Sequence, residues 1–112
     1  MYETEVTRGW HLLDSTVPDW RQRIDPDRLQ MLMKDRCVIG QVGNGSWAEG
    51  LRMAGLFDFT LADRLTLIDH GFWLRDGGWG NYSELRKTWA NALRAGQPPL
   101  TSSPVKELAS VN

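Results

Sequence analysis

The sequence predicts a mainly α fold: a compact single domain of four to five short helices over residues 1–96, with allowance for a minor β-hairpin, and a Pro- and Ser-containing tail over 97–112. Three observations carry this expectation. The 112 residues, 41% hydrophobic and 24% charged, supply one core but not two, and enough apolar surface to exclude disorder throughout. Apolar side chains recur three and four residues apart in several windows, which is the period of a helix face. Those windows are bounded by capping residues on one side and glycine or proline on the other.

The first helix is expected from Thr7 to about Asp14, where Val6, Trp10 and Leu13 fall at helical spacing. Pro18 suits a first helical turn, and Trp20 and Ile24 lie four apart on the turn or two that follows. Asp25-Pro26-Asp27 ends that element and offers Asp25 as a new cap. From Arg28 to Met33 two periods compete: Leu29, Met31 and Met33 alternate as in a strand, while Leu29, Leu32 and Met33 satisfy a helix. After polar Lys34-Asp35-Arg36, the run Cys37-Val38-Ile39 returns to the core.

Gly43-Asn44-Gly45 is a break, and Ser46-Trp47-Ala48-Glu49 after it matches a capping box, in which serine and glutamate satisfy each other's orphan amides. A helix from Trp47 to Ala54 follows, closed by Gly55 in the left-handed conformation with Leu56 packing back. The same grammar repeats: Thr60 and Asp63 cap a helix whose stripe is Leu61, Leu65 and Ile68, His70 sits at its negative end, and Gly71-Phe72 stops it. Asp76-Gly77-Gly78-Trp79-Gly80 is expected outside regular structure, as the turn of a small hairpin containing Phe72, Trp73 and Leu74. Asn81 with Glu84 caps the last long helix, whose face is Tyr82, Leu85, Trp89 and Leu93 and which ends at Gly96 before Pro98-Pro99. The tail Thr101 to Asn112 reads as loop, with Ser103-Pro104 able to start one turn presenting Val105 and Leu108.

Thirteen basic against fourteen acidic residues leave a net charge of −1, so no global field recruits nucleic acid or an anionic membrane. Ten of the thirteen cations are arginine, scattered in the manner of a GC-rich coding sequence and not of a site. The one cysteine, Cys37, excludes an intramolecular disulfide and a multi-cysteine zinc site and fits a reducing compartment. The start Met1-Tyr2-Glu3-Thr4-Glu5 lacks a basic flank, and no stretch approaches the roughly 20 apolar residues of a membrane span, so a cytoplasmic location without a membrane partner is expected.

Catalytic constellations are thin. Gly40-Gln41-Val42-Gly43-Asn44-Gly45 invites a phosphate-loop reading, but no Gly-Lys-Ser/Thr follows and the bland alternative is a linker between helices. His11, His70 and Cys37 are not at ligand spacing, so no metal and no cofactor is expected. Cys37 is flanked by Lys34 and Arg36, yet Val38 and Ile39 after it make a buried, inert thiol the stronger reading. The many aspartates have cap and turn duties, and no nucleophile-elbow motif supports a Ser-His-Asp arrangement, so the chain is not expected to be an enzyme.

Charge is polarised along the chain: four cations against two acids over 82–112, three against six over 1–27. That allows a helix-turn-helix-like DNA-binding regulator, built from the two capped helices joined at Gly55 to Thr60 and reading through Arg64, Arg86, Lys87 and Arg94. Asp63 and Asp69 on its second helix oppose it. The surplus of tryptophan, six in all, points elsewhere. Trp20, Trp47 and Trp89 lie on apolar stripes and read as core, whereas Trp79, between Gly78 and Gly80 and just after Trp73, is either an interface anchor or a lid on the core. The expected partner-binding surface is therefore Trp73, Trp79, Arg86, Lys87 and Arg94.

At Arg36-Cys37-Val38-Ile39-Gly40-Gln41, followed by Gly43, Trp47, Glu49, Gly50, Leu51 and the Gly71-Phe72 stop, the chain resembles a set of short uncharacterised proteins encoded by actinobacteria and their phages. The likeness spans residues 10 to 95 and includes a tryptophan near the start and the Ile24-Asp25 step. The resemblance implies a phage or mobile-element accessory protein and carries over no activity, cofactor or catalytic residue. The expectation that follows is a small non-catalytic interaction or regulatory protein that binds a host or phage protein, homo-oligomerisation being compatible with it. A DNA-binding regulator ranks second, and a small-ligand binder or enzyme at the Gly40 to Gly45 loop third.

Overall fold

The computed structural model describes residues 1–56, 58–75 and 79–100, with the side chains of Trp79 and Gly80 outside the described set. The mainly α expectation holds: the described residues contain helices and turns and no strand. The α-helices are α1 (Glu3–Thr16), α2 (Trp20–Arg23), α3 (Val38–Val42), α4 (Trp47–Met53), α5 (Leu61–Asp69) and α6 (Trp79–Ala95), and a single 3-10 turn spans Pro26–Arg28. No helix among the described residues is long and apolar enough to cross a membrane.

Helix α1 runs longer than the expected Thr7 to Asp14, because Val6, Trp10 and Leu13 are all buried and their burial supports the turns on either side. Its Gly9 is where α1 meets the rest of the core: a Cβ there would stand 2.1 Å from the His70 carbonyl oxygen and 2.9 Å from the Trp89 ring. Around that contact three indoles pack edge to face. Trp10 and Trp20 have centroids 4.9 Å apart, Trp20 and Trp89 6.2 Å apart, and Phe72 stacks on Trp89 at 5.6 Å. The polar ends are satisfied: Trp20 Nε1 donates to Asp14 Oδ1 at 2.8 Å, and Trp89 Nε1 donates to the Gly71 carbonyl at 2.6 Å. Trp20 and Trp89 are thus core, as their spacing predicted.

The ambiguous stretch after Arg28 is neither helix nor strand. It is a series of turns, with Met33 N donating to the Gln30 carbonyl, Arg36 N to that of Met33, and Gln30 N back to that of Arg36. Leu29 and Met31 point inward while Leu32 and Met33 stay exposed. Gln41 holds this segment in place. Its buried side chain accepts from Asp25 N at 2.7 Å and donates to the Asp25 and Arg36 carbonyls at 3.2 and 3.0 Å. Cys37-Val38-Ile39 returns to the core as expected, and does so at the start of α3.

At α4 the Ser46 hydroxyl accepts from Glu49 N at 3.2 Å, but the return half of the predicted box is missing. Ser46 N donates to the Gly43 carbonyl and the Glu49 carboxylate pairs with Arg52. The complete box is at α5, where Thr60 and Asp63 exchange both bonds, at 3.1 and 3.3 Å. Both glycine stops form as read. Gly55 (φ 82°) and Gly71 (φ 73°) are left-handed, and the amides of Leu56 and Phe72 reach back to the Leu51 and Leu67 carbonyls. Gly50 lets α4 lie on α3 at a separation no side chain permits, since a Cβ would be 1.9 Å from the Ile39 carbonyl oxygen.

Three expectations are corrected. The hairpin is absent from the described residues, because Phe72 is drawn onto Trp89 and Leu74 N donates to the Tyr82 hydroxyl at 3.2 Å instead of to a neighbouring strand. Trp79 and Gly80, expected in the loop, form the first residues of α6; burial of Tyr82, Leu85 and Trp89 outweighs the roughly 1 kcal/mol that a helical glycine costs. The α5 stripe turns outward: Leu67 is the buried residue, while Leu61 is 70% and Leu65 45% exposed. Asp76–Gly78 and the tail from Thr101, including the turn read at Ser103-Pro104, lie outside the described residues.

Trp89→Ala should destabilise the domain by about 3–5 kcal/mol in urea unfolding, through lost area, a cavity and an orphaned Gly71 carbonyl. A cost under about 1 kcal/mol would show that the indole is not the centre of the core. Gly9→Ala, which an isolated helix would favour by about 1 kcal/mol, should instead lower stability by about 1–3 kcal/mol, because a methyl group cannot share space with the His70 carbonyl.

Candidate functional site

Beside the indole core, a second group of aromatic rings forms the wall of an open cleft of about 280 Å³. The turns after Arg28 contribute Met31, Leu32 and Lys34, the stop after α5 brings Phe72 and Trp73, and Tyr82 closes the side nearest α6. Trp47, the first residue of α4, packs edge to face on Phe59 at 5.3 Å, and Phe59 meets Trp73 at 5.9 Å. Phe59 itself holds φ 50°, an uncommon conformation for an aromatic residue, and it is kept there between the two tryptophans. Two cations sit over these rings: Lys34 Nζ is 5.4 Å from the Trp47 centroid and the Arg64 guanidinium 4.8 Å from that of Phe59. The Tyr82 hydroxyl, accepting from Leu74 N, ties the Phe72–Leu74 segment to α6 and so fixes the position of Trp73.

The surface continues along α6. A second depression of about 240 Å³ shares Met31, Leu32 and Tyr82 with the first and adds Gln30, Ser83 and Arg86. Of the residues expected to bind a partner, Trp73 is half-buried in the first cleft and Arg86 half-buried in the second, so the two belong to one face. Lys87 is exposed and paired with Glu84 at 3.3 Å. Arg94, two turns further along α6, is paired with Asp27 at 2.7 Å. The Trp79 side chain lies outside the described residues. Trp47, expected in the core, is half-buried and belongs to the cleft; Phe59 and Lys34 carried no periodic signal, and the competing periods of Met31 and Leu32 did not mark them as a site.

The alternative sites fare differently. Gly40, Gln41 and Val42 are helical and buried, and a Cβ on Gly40 would be 1.9 Å from the Lys34 carbonyl oxygen, so they form no open loop. The amides of Asn44, Gly45 and Ser46 donate to the carbonyls of Gln41, Gly40 and Gly43, which leaves them unavailable to a phosphate. Helix α4 packs chiefly on α3 and α5 on α1, so the two capped helices do not present the mutually packed pair of a helix-turn-helix. Among the described residues no group of three or more His, Cys, Asp or Glu side chains is placed to hold a metal ion.

Cys37 lines the aromatic cleft and also caps α3: its Sγ accepts from Gly40 N at 3.3 Å and lies 3.8 Å from the Lys34 carbonyl. Burial pushes its pKa up, against the smaller lowering effect of the Gly40 amide. No protein-family model, curated protein or solved structure matches the chain.

Native Cys37 should therefore react with iodoacetamide much more slowly than in urea-unfolded chain, at neutral pH and on into the mildly alkaline range, because the neutral thiol is favoured in the fold. The sign for stability follows: a thiol with a raised folded pKa supports the fold below the unfolded pKa and loses that support as pH rises through the folded one. Rapid native labelling at pH 7 would refute the assignment of Cys37 as a buried cap.

Proposed function

We propose that this is a small interaction or regulatory protein that works by binding a protein partner and not by catalysis. The single observation that carries this reading is the aromatic cleft. Trp47, Phe59 and Trp73 are only half-buried and line an open depression, whereas Trp10, Trp20 and Trp89 are fully buried. Large, stiff aromatic side chains in a preformed depression are what interface hot spots are made of. Exposed Leu32 in its lining, with exposed Met33 next to it in sequence and Leu61 and Leu65 on α5, adds apolar surface.

Its nearest nucleophile, Cys37, is occupied as a helix cap, which supports binding over reaction. The resemblance to short proteins of actinobacteria and their phages supports a phage or mobile-element accessory role in the cytoplasm, with a host or phage protein as partner. The DNA-binding reading draws less support, since Lys87 and Arg94 are already paired with Glu84 and Asp27.

Affinity purification from the source cells should recover a partner with the native chain and lose it with Phe59→Ala or Trp73→Ala. A hot-spot aromatic is worth about 2 kcal/mol or more, so binding should weaken by about thirtyfold. Recovery that is unchanged in both variants, with native near-ultraviolet circular dichroism, would remove the cleft from the interface. Trp79→Ala in the same assay reports whether the first residue of α6 takes part.

A further inference from the structure

The two depressions are one surface, because Met31, Leu32 and Tyr82 line both. Among the described residues the charges on that lining are of one sign: Lys34 stands at the Trp47 end and Arg86 at the Ser83 end, with no described aspartate or glutamate in either part. Lys34 and Arg86, like Arg21, Arg28, Arg36, Arg64 and Arg75, belong to none of the ion pairs among the described residues. Lys34 instead lies over the ring of Trp47, so a carboxylate drawn to its ammonium arrives beside the aromatic wall.

Resting on the binding function proposed above, we infer that the occupant of this surface is a short acidic and apolar segment of a partner protein. An aromatic or leucine side chain of that segment fills the cleft between Trp47, Phe59 and Trp73. Acidic residues on either side of it meet Lys34 and Arg86. The apolar anchor supplies the affinity, and the charges supply encounter rate and choice: a basic or neutral segment leaves two cations at the rim uncompensated or repelled. Helix α5 of a second copy offers a related composition, with Leu61 and Leu65 exposed and Asp58 and Asp69 near its ends, so the test has to separate a foreign segment from self-association.

Short randomised peptides displayed on particles are selected against the purified full-length chain, and a fluorescein-labelled peptide of the winning sequence is titrated by anisotropy. The expected winners place aspartate or glutamate on both sides of tryptophan, phenylalanine or leucine and avoid lysine and arginine. Binding should weaken by about tenfold in Lys34→Glu/Arg86→Glu, with the near-ultraviolet spectrum unchanged, and should also fall with added salt. The neutral pair Lys34→Gln/Arg86→Gln gives the same test without introduced repulsion. Winners without acidic bias, or with affinity indifferent to both double variants, overturn the inference. If no peptide is selected while Trp73→Ala still abolishes capture of the native partner, the occupant is wrong and the binding function stands. A concentration-dependent dimer that the double variants dissociate assigns the surface to a second copy and overturns the inference as well.

Discussion

Burial of the Trp89 indole is the constraint around which the other elements are arranged. An indole contributes a large apolar area and one N–H that is costly to leave without an acceptor. The acceptor here is the carbonyl of Gly71, the left-handed residue that terminates α5. The stop that ends one helix thus supplies the polar partner that admits the central side chain of another. Phe72, turned inward by the same stop, stacks on the ring, and Gly9 lets α1 approach until its backbone touches the His70 carbonyl. Helix termination, close approach and aromatic packing meet within a few residues, and little slack remains for any of them to change alone.

A second constraint is the polar closure of the segment that has no regular structure. Residues 29–37 cannot satisfy their backbone through a helix or a ladder, so turn hydrogen bonds and the buried Gln41 amide do so instead. Because that segment is held at both Asp25 and Arg36, its side chains have fixed directions. Met31 is driven inward, Leu32 stays at the rim, and Lys34 comes to rest over Trp47. The geometry of the cleft is therefore a by-product of how an irregular stretch of chain meets its hydrogen-bonding needs.

The tryptophans divide by position into two populations with different consequences. Trp10, Trp20 and Trp89 stabilise the interior, each in contact with another indole at edge-to-face geometry. Trp47 and Trp73 are half-buried and bridged by Phe59, with Lys34 over the Trp47 ring and Arg64 over that of Phe59. Each cation shares in the ring's quadrupole while keeping its charge near solvent. The outward turn of Leu61 and Leu65 leaves further apolar side chains exposed on α5.

How much of this was legible depends on the range of the interaction concerned. Local signals read well: the Thr60–Asp63 cap, the glycine stops at Gly55 and Gly71, the Asp25 cap and the stripe positions of Trp20 and Trp89 are set by residues close in sequence, although of the box read at Ser46–Glu49 only half forms. Where a second element decides the outcome, periodicity was silent or misleading. Leu61 and Leu65 keep helical spacing yet face outward, since the side chain that α5 buries is Leu67 and the inward side is set by the elements α5 packs on, α1 among them. Trp47 sits on an apolar stripe yet ends in a cleft wall, and Phe59 had no local pattern at all, because Trp47 packs on Phe59 and Phe59 in turn on the distant Trp73. The amino-acid sequence by itself determined the helical character, the caps at Asp25, Ser46 and Thr60 and the charge of this protein, all consequences of short-range hydrogen bonding and composition. Only the tertiary structure decided which apolar residues go inside and which gather at the surface, because that choice is made by contacts between segments distant along the chain.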